Sequence, residues 1–424
     1  MRNKENFKDK KIIIVGLARS GLACANLLFE LGARVSVTDN SDSEATRSNA
    51  AQLKSKDIRF ELGVHTEELV KGNDLLVLSP GVTAKALPVV WARKYNIPVI
   101  SEIELAWILC PATVIAVTGA NGKTTVTTLI GKILEKAGKK VFVCGNIGNP
   151  FSGEVAKMGP DDFVSLEVSS FQLETIEKFK PKVALILNFT PNHLDRYSNM
   201  QEYLEAKKRI FLNQDEGDYL VLNGEDPALR NVAGQARAKV VYFAPHDGLN
   251  PNQAAVMAVG DIFGIDKRLM LDAFNDFKGI EHRMEFVAEV KGVRFINDSK
   301  ATTVDSAMWA LRTLQSPVIL IAGGKHKGVD YREIIDLARS KVREVILIGE
   351  AKDKIRQAFE GALSLEEARD MEDAVHKAYA KAKPGDSVLL SPMCSSFDMF
   401  TSYEERGKVF KRAVSALAAQ RQSR

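Results

Sequence analysis

The stretch Thr113–Thr125, TVIAVTGANGKTT, holds the residue types that handle phosphate. Val114–Val117 is an apolar run of strand length. A Gly-bearing turn follows, then Lys123 with Thr124 and Thr125, then the helix-periodic TTLIGKILEKAG. In such a strand–loop–helix, backbone N–H groups around Gly119, Asn121, Gly122 and Thr125 converge on anionic oxygens, and the helix dipole adds to the attraction. Lys123 is placed to reach the β- and γ-phosphates, and the Thr124 hydroxyl to ligate Mg²⁺. The loop is a variant of the usual G-x-x-x-x-G-K-[ST], because Val117 occupies the position five before Gly122.

Other candidates follow it. Glu167 ends the strand-like FVSLE, where a carboxylate suits a Mg²⁺ ligand; it reads otherwise as a solvated strand-end acid. After the run VALILN comes FTPNHLDRY, which sets His193 and Asp195 on a loop beside Asn188 and Asn192. Loops that follow buried strands gather catalytic groups. Lys207 and Lys208, in MQEYLEAKKRIFL, read as a solvated helix face. A protonated lysine cannot bind a metal, but one carbamylated by CO₂ can.

Earlier in the chain, IIIVGLARSGLACANLLFELGARVSVTD has the outline of a dinucleotide-binding unit. Gly16 and Gly21 fit the first and third glycines of G-x-G-x-x-G, and Ala18 replaces the second. Asp39, 23 residues after Gly16, takes the ribose position. An NAD-dependent dehydrogenase is the natural competitor here. A second nucleotide loop downstream counts against it, and a UDP-sugar would use the same turn. Ser79, Pro80 and Gly81 follow the strand-like DLLVL, at an edge where open α/β sheets bind ligands. They read equally as a Pro-Gly turn.

The elements that must position these groups alternate. Strand-like runs are KIIIVG, RVSVTD, DLLVLSPG, TVIAVTG, KVFVCG, FVSLEVSS, VALILNF, YLVLNG, KVVYF, VRFIND, SPVILIAGG, EVILIGE and SVLLSP, with helical patterns between them. Many are continuous Val/Ile/Leu runs, the form of strands buried on both faces of a parallel sheet. The expected fold class is α/β with three domains: a Rossmann-like domain over 1–105, a central domain with a P-loop ATPase-like sheet over 106–282, and a Rossmann-like α/β domain over 283–424. IPVISEIELAW reads as a short last strand and linker, and KGIEHRME as a hinge.

Among 424 residues, 45% are hydrophobic and 26% charged, and the net charge is only +4, with acids and bases mixed. This balance fits globular domains and gives no basic tract for nucleic acid. The polar start MRNKENFKDKK runs straight into a strand, which argues against a signal peptide. No apolar run approaches the roughly 20 residues of a membrane span. The four cysteines are scattered, without C-x-x-C, which suggests a reducing cytoplasm.

TGANGKTT, CGNIG, LEVSSFQLE, NFTPNHLDRY, EAKKRI, GIEHRME, NDSKATT, AGGKHKG and LSPMCSSFDMF occur in that order along the chain. Together they resemble the Mur ligases, ATP-dependent amino-acid-adding enzymes of peptidoglycan synthesis. GLARSGLA with SPGV, SSFQLE and SPMCSSFD resembles the branch that joins D-glutamate to UDP-N-acetylmuramoyl-L-alanine. The resemblance implies ATP and two Mg²⁺ ions as cofactors. Lys123 and Thr124 would hold ATP phosphates and metal, and Glu167 would share that ion. His193 would ligate the second ion, bridged by carbamylated Lys207, which AK-x-RI selects over Lys208. Lys123, His193 and Lys207 would carry catalysis. Asn146 would contact the muramoyl substrate; Gly16, Ser20, Gly21, Asp39, Ser79, Pro80 and Gly81 would hold its UDP. Asn250 would lie near adenine, Arg283 would reach ATP phosphate and Asp298 its ribose. Thr302, Lys327, Ser396 and the Phe397 backbone would cradle D-glutamate, a dicarboxylate that needs a cation and donors. Lys300 reads equally as a surface lysine. A cytoplasmic monomer is expected, without nucleic acid or membrane partners, whose third domain closes onto the second.

The chain departs from the family pattern in places. Where G-x-H-N-x-x-N is usual, DGLNPNQAA puts Leu249 at the His position and Gln253 at the second Asn, and the segment before it is shortened. Tyr403 stands where Phe is common. The rival readings are a ligase adding L-alanine, a folylpolyglutamate synthase, and a regulatory ATPase without ligase chemistry.

Overall fold

The computed structural model describes residues 1–83, 85–190, 197–246, 248–326 and 328–422. The chain forms three sheet-based α/β domains within two compact units, Met1–Phe277 and Lys278–Arg424.

The first unit holds two parallel sheets. One contains β1 (Lys11–Val15), β2 (Arg34–Asp39), β3 (Arg59–Leu62), β4 (Leu75–Leu78) and β5 (Val99–Ser101), in the order β3-β2-β1-β4-β5. The order reverses between β1 and β4, and such a switch point opens a crevice at the carboxyl ends of the strands. The other sheet contains β6 (Thr113–Thr118), β7 (Val141–Gly145), β8 (Phe163–Glu167), β9 (Val183–Ile186), β10 (Tyr219–Asn223) and β11 (Lys239–Phe243), in the order β11-β10-β9-β6-β8-β7. Every pairing in both sheets is parallel.

The helix Glu102–Leu109 ties the two sheets together. Its Glu104 carboxylate accepts the backbone N–H groups of Glu177, Lys178 and Phe179 at 2.8–3.0 Å. Glu102 accepts from Ser152 N at 2.7 Å, and the Trp107 indole donates to Lys180 O. Both carboxylates are buried. A buried acid is tolerated where N–H donors meet it, so these contacts fix the helix, which continues directly from β5 of the first sheet, against the central sheet's domain.

The second unit has a sheet of β12 (Glu285–Val290), β13 (Val293–Asn297), β14 (Val318–Gly323), β15 (Val342–Ile348), β16 (Leu365–Glu367) and β17 (Ser387–Leu390). Its order is β12-β13-β17-β14-β15-β16; β12 pairs antiparallel and the rest parallel. The sequence reading is extended by β3, β12 and β16, which it did not distinguish. Among the described residues no helix is long and apolar enough to cross a membrane.

Candidate active site

In the central sheet, β6 delivers the chain into Gly119–Gly122, and the helix Lys123–Lys136 begins at once. Gly122, with φ of 81°, caps that helix. A side chain there would be strained, and its Cβ would meet Asn252 Oδ1 at 2.4 Å. Glycine therefore gives the loop its curl. Asn188 holds it from the far side: its Oδ1 accepts from Ala120 N at 3.0 Å and Asn121 N at 2.9 Å, and its Nδ2 donates to Asn121 O. Lys123 Nζ folds over the loop, donating to Gly119 O and Ala120 O at 3.0 Å. Thr124 is buried at the helix start, and Thr125 lies beside it, partly buried.

Glu167 ends β8, opposite Val117 of β6. One carboxylate oxygen accepts from Asn146 Nδ2 at 2.8 Å; the other is buried with no hydrogen-bond partner. A buried carboxyl oxygen with no hydrogen-bond partner, beside a phosphate loop, fits a cation ligand. Lys207 lies at the end of the helix Met200–Lys208. Its Nζ donates to Gly119 O at 2.9 Å and sits 4.5 Å from the Tyr203 ring centroid. Burial, with Lys123 nearby, drives its pKa well below the usual lysine range. Lys208, by contrast, pairs with Glu205. His193 and Asp195 lie outside the described residues.

At the switch point of the first sheet, Gly16, Gly21, Asp39 and Ser79 come together. A Cβ on Gly21 would meet Gly16 O at 1.8 Å, so the turn requires glycine there. Ser79 Oγ donates to Gly16 O at 2.8 Å. Asp39 accepts from Leu17 N at 2.6 Å and Ser41 N at 2.8 Å, so its carboxylate also braces the turn. Ser20 is partly buried in the first turn of the helix Arg19–Glu30, while Pro80 and Gly81 form the middle of a turn that Val82 N closes by donating to Ser79 O at 3.0 Å. Asn250 caps the helix Pro251–Ile262, and Gln253 completes a reciprocal capping box. The glutamine at that position thus serves the helix start.

In the second unit, Asp298 is buried after β13. It accepts from Met284 N at 3.2 Å and Ser391 Oγ at 3.0 Å, and burial pushes its pKa up to about 7 against the opposing effect of Arg283. Arg283 itself is partly buried. Thr302 follows in a partly buried turn; Ser396 is buried and Phe397 is 68% exposed. Lys327 lies outside the described residues. Beneath these loops sits Arg406, 1% exposed. Its guanidinium donates to Ser299 Oγ (3.0 Å), Ser299 O (2.8 Å), Cys394 O (3.1 Å) and Ser395 O (3.3 Å). Ser395 O also accepts from Lys325 N at 2.9 Å. Two loops are therefore held from one side chain, and the loop of Lys325 joins them through Ser395 O.

Comparison with known proteins covers most of the chain. The description "Mur ligase MurD-like, N-terminal domain" matches residues 10–101, "Mur ligase middle domain" 117–276, and "Mur ligase, glutamate ligase domain" 282–394. UDP-N-acetylmuramoylalanine–D-glutamate ligase of Caldanaerobacter subterraneus subsp. tengcongensis is 39% identical over 443 aligned positions, covering 96% of this chain and 98% of that protein. The enzyme of that name from Geotalea uraniireducens is 43% identical, with the same coverage. The chain belongs to the Mur ligase family. Among solved structures, the UDP-N-acetylmuramate–alanine ligase of Thermotoga maritima shares the fold, with a TM-score of 0.58 and 19% identity over 96% of this chain and all of that one.

Two features of this Mur ligase escaped the sequence reading. Asn188 was noticed only as a neighbour of His193, yet it is the clamp of the phosphate loop. Arg406 sits in SYEERGKVF, which looks like a solvated helix. The signal was the glycine after it: a Cβ on Gly407 would meet His282 Nδ1 at 2.2 Å, so that face of the helix is packed.

Proposed function

We propose that this Mur ligase adds D-glutamate to UDP-N-acetylmuramoyl-L-alanine, with ATP, as a monomer in cytoplasmic peptidoglycan precursor synthesis. The carrying observation is the buried Lys207 amine beside Lys123 on the carbonyl of Gly119. The relatives of that name, 39–43% identical over almost the whole chain, support the choice of substrates.

ATP gives its γ-phosphoryl group to the free carboxylate of the muramoyl substrate, forming an acyl phosphate and ADP. Lys123 and the loop N–H groups hold the phosphates during this transfer. The D-glutamate amine then attacks the acyl carbon, loses a proton, and the tetrahedral intermediate collapses to amide and inorganic phosphate. Thr124 and Glu167 fit one Mg²⁺ ion, and the orphaned Glu167 oxygen supports that fit. A second ion would take His193 and the carbamate of Lys207. When bound, such ions supply positive charge that offsets the charge of the transferring phosphoryl. Carbamylation needs a neutral amine: the Lys207 lone pair attacks CO₂ and the nitrogen releases one proton. The depressed pKa, caused by burial with Lys123 nearby, favours that amine. Gly16, Ser20, Gly21, Asp39, Ser79, Pro80, Gly81 and Asn146 serve the UDP-muramoyl end. Thr302, Lys327, Ser396 and the Phe397 backbone serve D-glutamate.

The test is phosphate release from ATP with UDP-N-acetylmuramoyl-L-alanine, with and without D-glutamate. Release that requires both, with a product heavier by one glutamate residue, is expected. Release that needs neither would turn the assignment to a regulatory ATPase, and L-alanine addition to UDP-N-acetylmuramate would turn it to the alanine-adding branch.

A further inference from the structure

Tyr331 begins the short helical turn Tyr331–Ile334, which Asp330 caps by accepting from Arg332 N at 3.0 Å. It is 2% exposed and lies in the same core cluster as Ile334, Met393 and Cys394. Its hydroxyl oxygen is 3.1 Å from His326 Nδ1 and 3.1 Å from Cys394 Sγ. The His326 ring also rests against the phenol ring, with centroids 5.7 Å apart. A phenol has one proton to give and lone pairs to accept with. The imidazole can donate to the phenol oxygen while the phenol donates to sulfur. Equally, the thiol can donate to the oxygen while the phenol donates to the imidazole. Either arrangement satisfies both contacts, so the link holds in either histidine tautomer. Burial and Cys394 raise the phenol's pKa, so its proton stays in place.

The two partners of this hydroxyl belong to different loops. β14 ends at Gly323 and runs into Gly324–His326, while its parallel neighbour β17 ends at Leu390 and runs into Ser391–Phe397. Lys325 N donates to Ser395 O at 2.9 Å, a single rung across the two loops. Tyr331 adds a second tie beside that rung, to the residue after Lys325 and to the residue before Ser395. The tie is buried, so its loss leaves polar atoms that water does not easily reach. In sequence, Cys394 stands two positions before Ser396 and His326 one before Lys327, both read above as D-glutamate ligands. Resting on that reading, we propose that Tyr331 is a positioning residue for the acceptor. Its hydroxyl fixes the spacing between the two loops that hold D-glutamate, without touching the amino acid itself.

The experiment is steady-state kinetics of the full chain with each of the three substrates varied in turn. Tyr331→Phe keeps the ring and removes the hydroxyl. It raises KM for D-glutamate about fivefold, the worth of one lost neutral hydrogen bond. KM for ATP and for the muramoyl substrate stays the same, and kcat at saturating D-glutamate is retained. His326→Ala and Cys394→Ala each raise the same KM. His326→Asn and Cys394→Ser, which keep a hydrogen-bonding atom near the phenol, hold it at the wild-type value. Added to Tyr331→Phe, neither alanine change raises KM further, because the shared link is already broken. Effects that multiply in the double variants overturn the role of Tyr331, as does an unchanged KM for D-glutamate in Tyr331→Phe. An equal rise in all three KM values also overturns it, making Tyr331 a support of the fold. Wild-type turnover that does not depend on D-glutamate overturns the reading of these loops, and the proposal with it.

Discussion

Two buried cations, one in each unit, meet the same problem and end differently. Lys207 and Arg406 are each 1% exposed, each donates to backbone carbonyls, and among the described residues neither is ion-paired to a carboxylate. Desolvation disfavours the charge on both. A lysine starts near 10.4 and has three donors on a point charge, so burial beside Lys123 can strip its proton. An arginine starts above 12, and burial takes Arg406 only to about 10. It therefore keeps its charge at physiological pH and spreads it over a rigid fork of donors. Equal burial pulls the lysine's pKa well down and leaves the arginine a charged clamp.

The largest effect expected is at Lys207. Lys207→Ala should lower turnover more than 1,000-fold, in line with removal of a group that acts as part of a catalytic unit. Short carboxylic acids such as formate or acetate should restore part of it by standing in for the carbamate. Lys207→Arg should be inactive too, because a guanidinium stays protonated and cannot add CO₂. Lys207→Ala removes a desolvated amine and should stay folded, whereas Lys207→Arg buries a larger, permanently charged group beside Lys123 and should be less stable to denaturant. Full activity in Lys207→Ala would end the comparison, leaving both cations structural.

Arg406 should reverse that pattern. Arg406→Met removes the guanidinium donors to Ser299 Oγ, Ser299 O and Cys394 O, while Ser395 O keeps Lys325 N, at a cost of about 3–5 kcal/mol in denaturant unfolding. Arg406→Lys retains a charge and part of the bonding, and should remain folded. In it KM for D-glutamate should rise about tenfold while KM for ATP and for the muramoyl substrate hold steady. A uniform fall in kcat with every KM unchanged would mean that Arg406 supports the fold without shaping the acceptor loops.

What the sequence made legible follows from how local each feature is. The phosphate loop is written in consecutive residues, so Gly119, Gly122, Lys123 and Thr124 could be read directly. The interior strands are continuous apolar runs because both faces are covered, as in Val183–Ile186 and Val318–Gly323. The strands that escaped, β3, β12 and β16, all lie at sheet edges, where solvent permits Arg59, Glu285 and Glu366. The commitments of side chains were least legible. Asp39 braces its own turn through Leu17, and Arg406 reaches Ser299, 107 positions earlier. No spacing rule links such residues, because chain packing alone brings them together.

A buried anion completes the comparison. Asp298 has neutral donors in Met284 N and Ser391 Oγ, and its pKa rises to about 7. Unfolded, it would titrate near 3.9. Between those values the folded chain binds the proton and the unfolded chain does not, so this group's contribution to stability is full at low pH and is lost as pH rises toward and through 7. From pH 5 to pH 8 the loss from this one group is roughly 2–3 kcal/mol. Asp298→Asn, uncharged at every pH, should remove that slope. Urea unfolding of the pair at pH 5 and pH 8 measures it: the variant should gain on the wild type as pH rises. Parallel pH dependences would mean that Asp298 is already ionised in the folded chain, held by Arg283, so that the buried anion, unlike Lys207, keeps its charge.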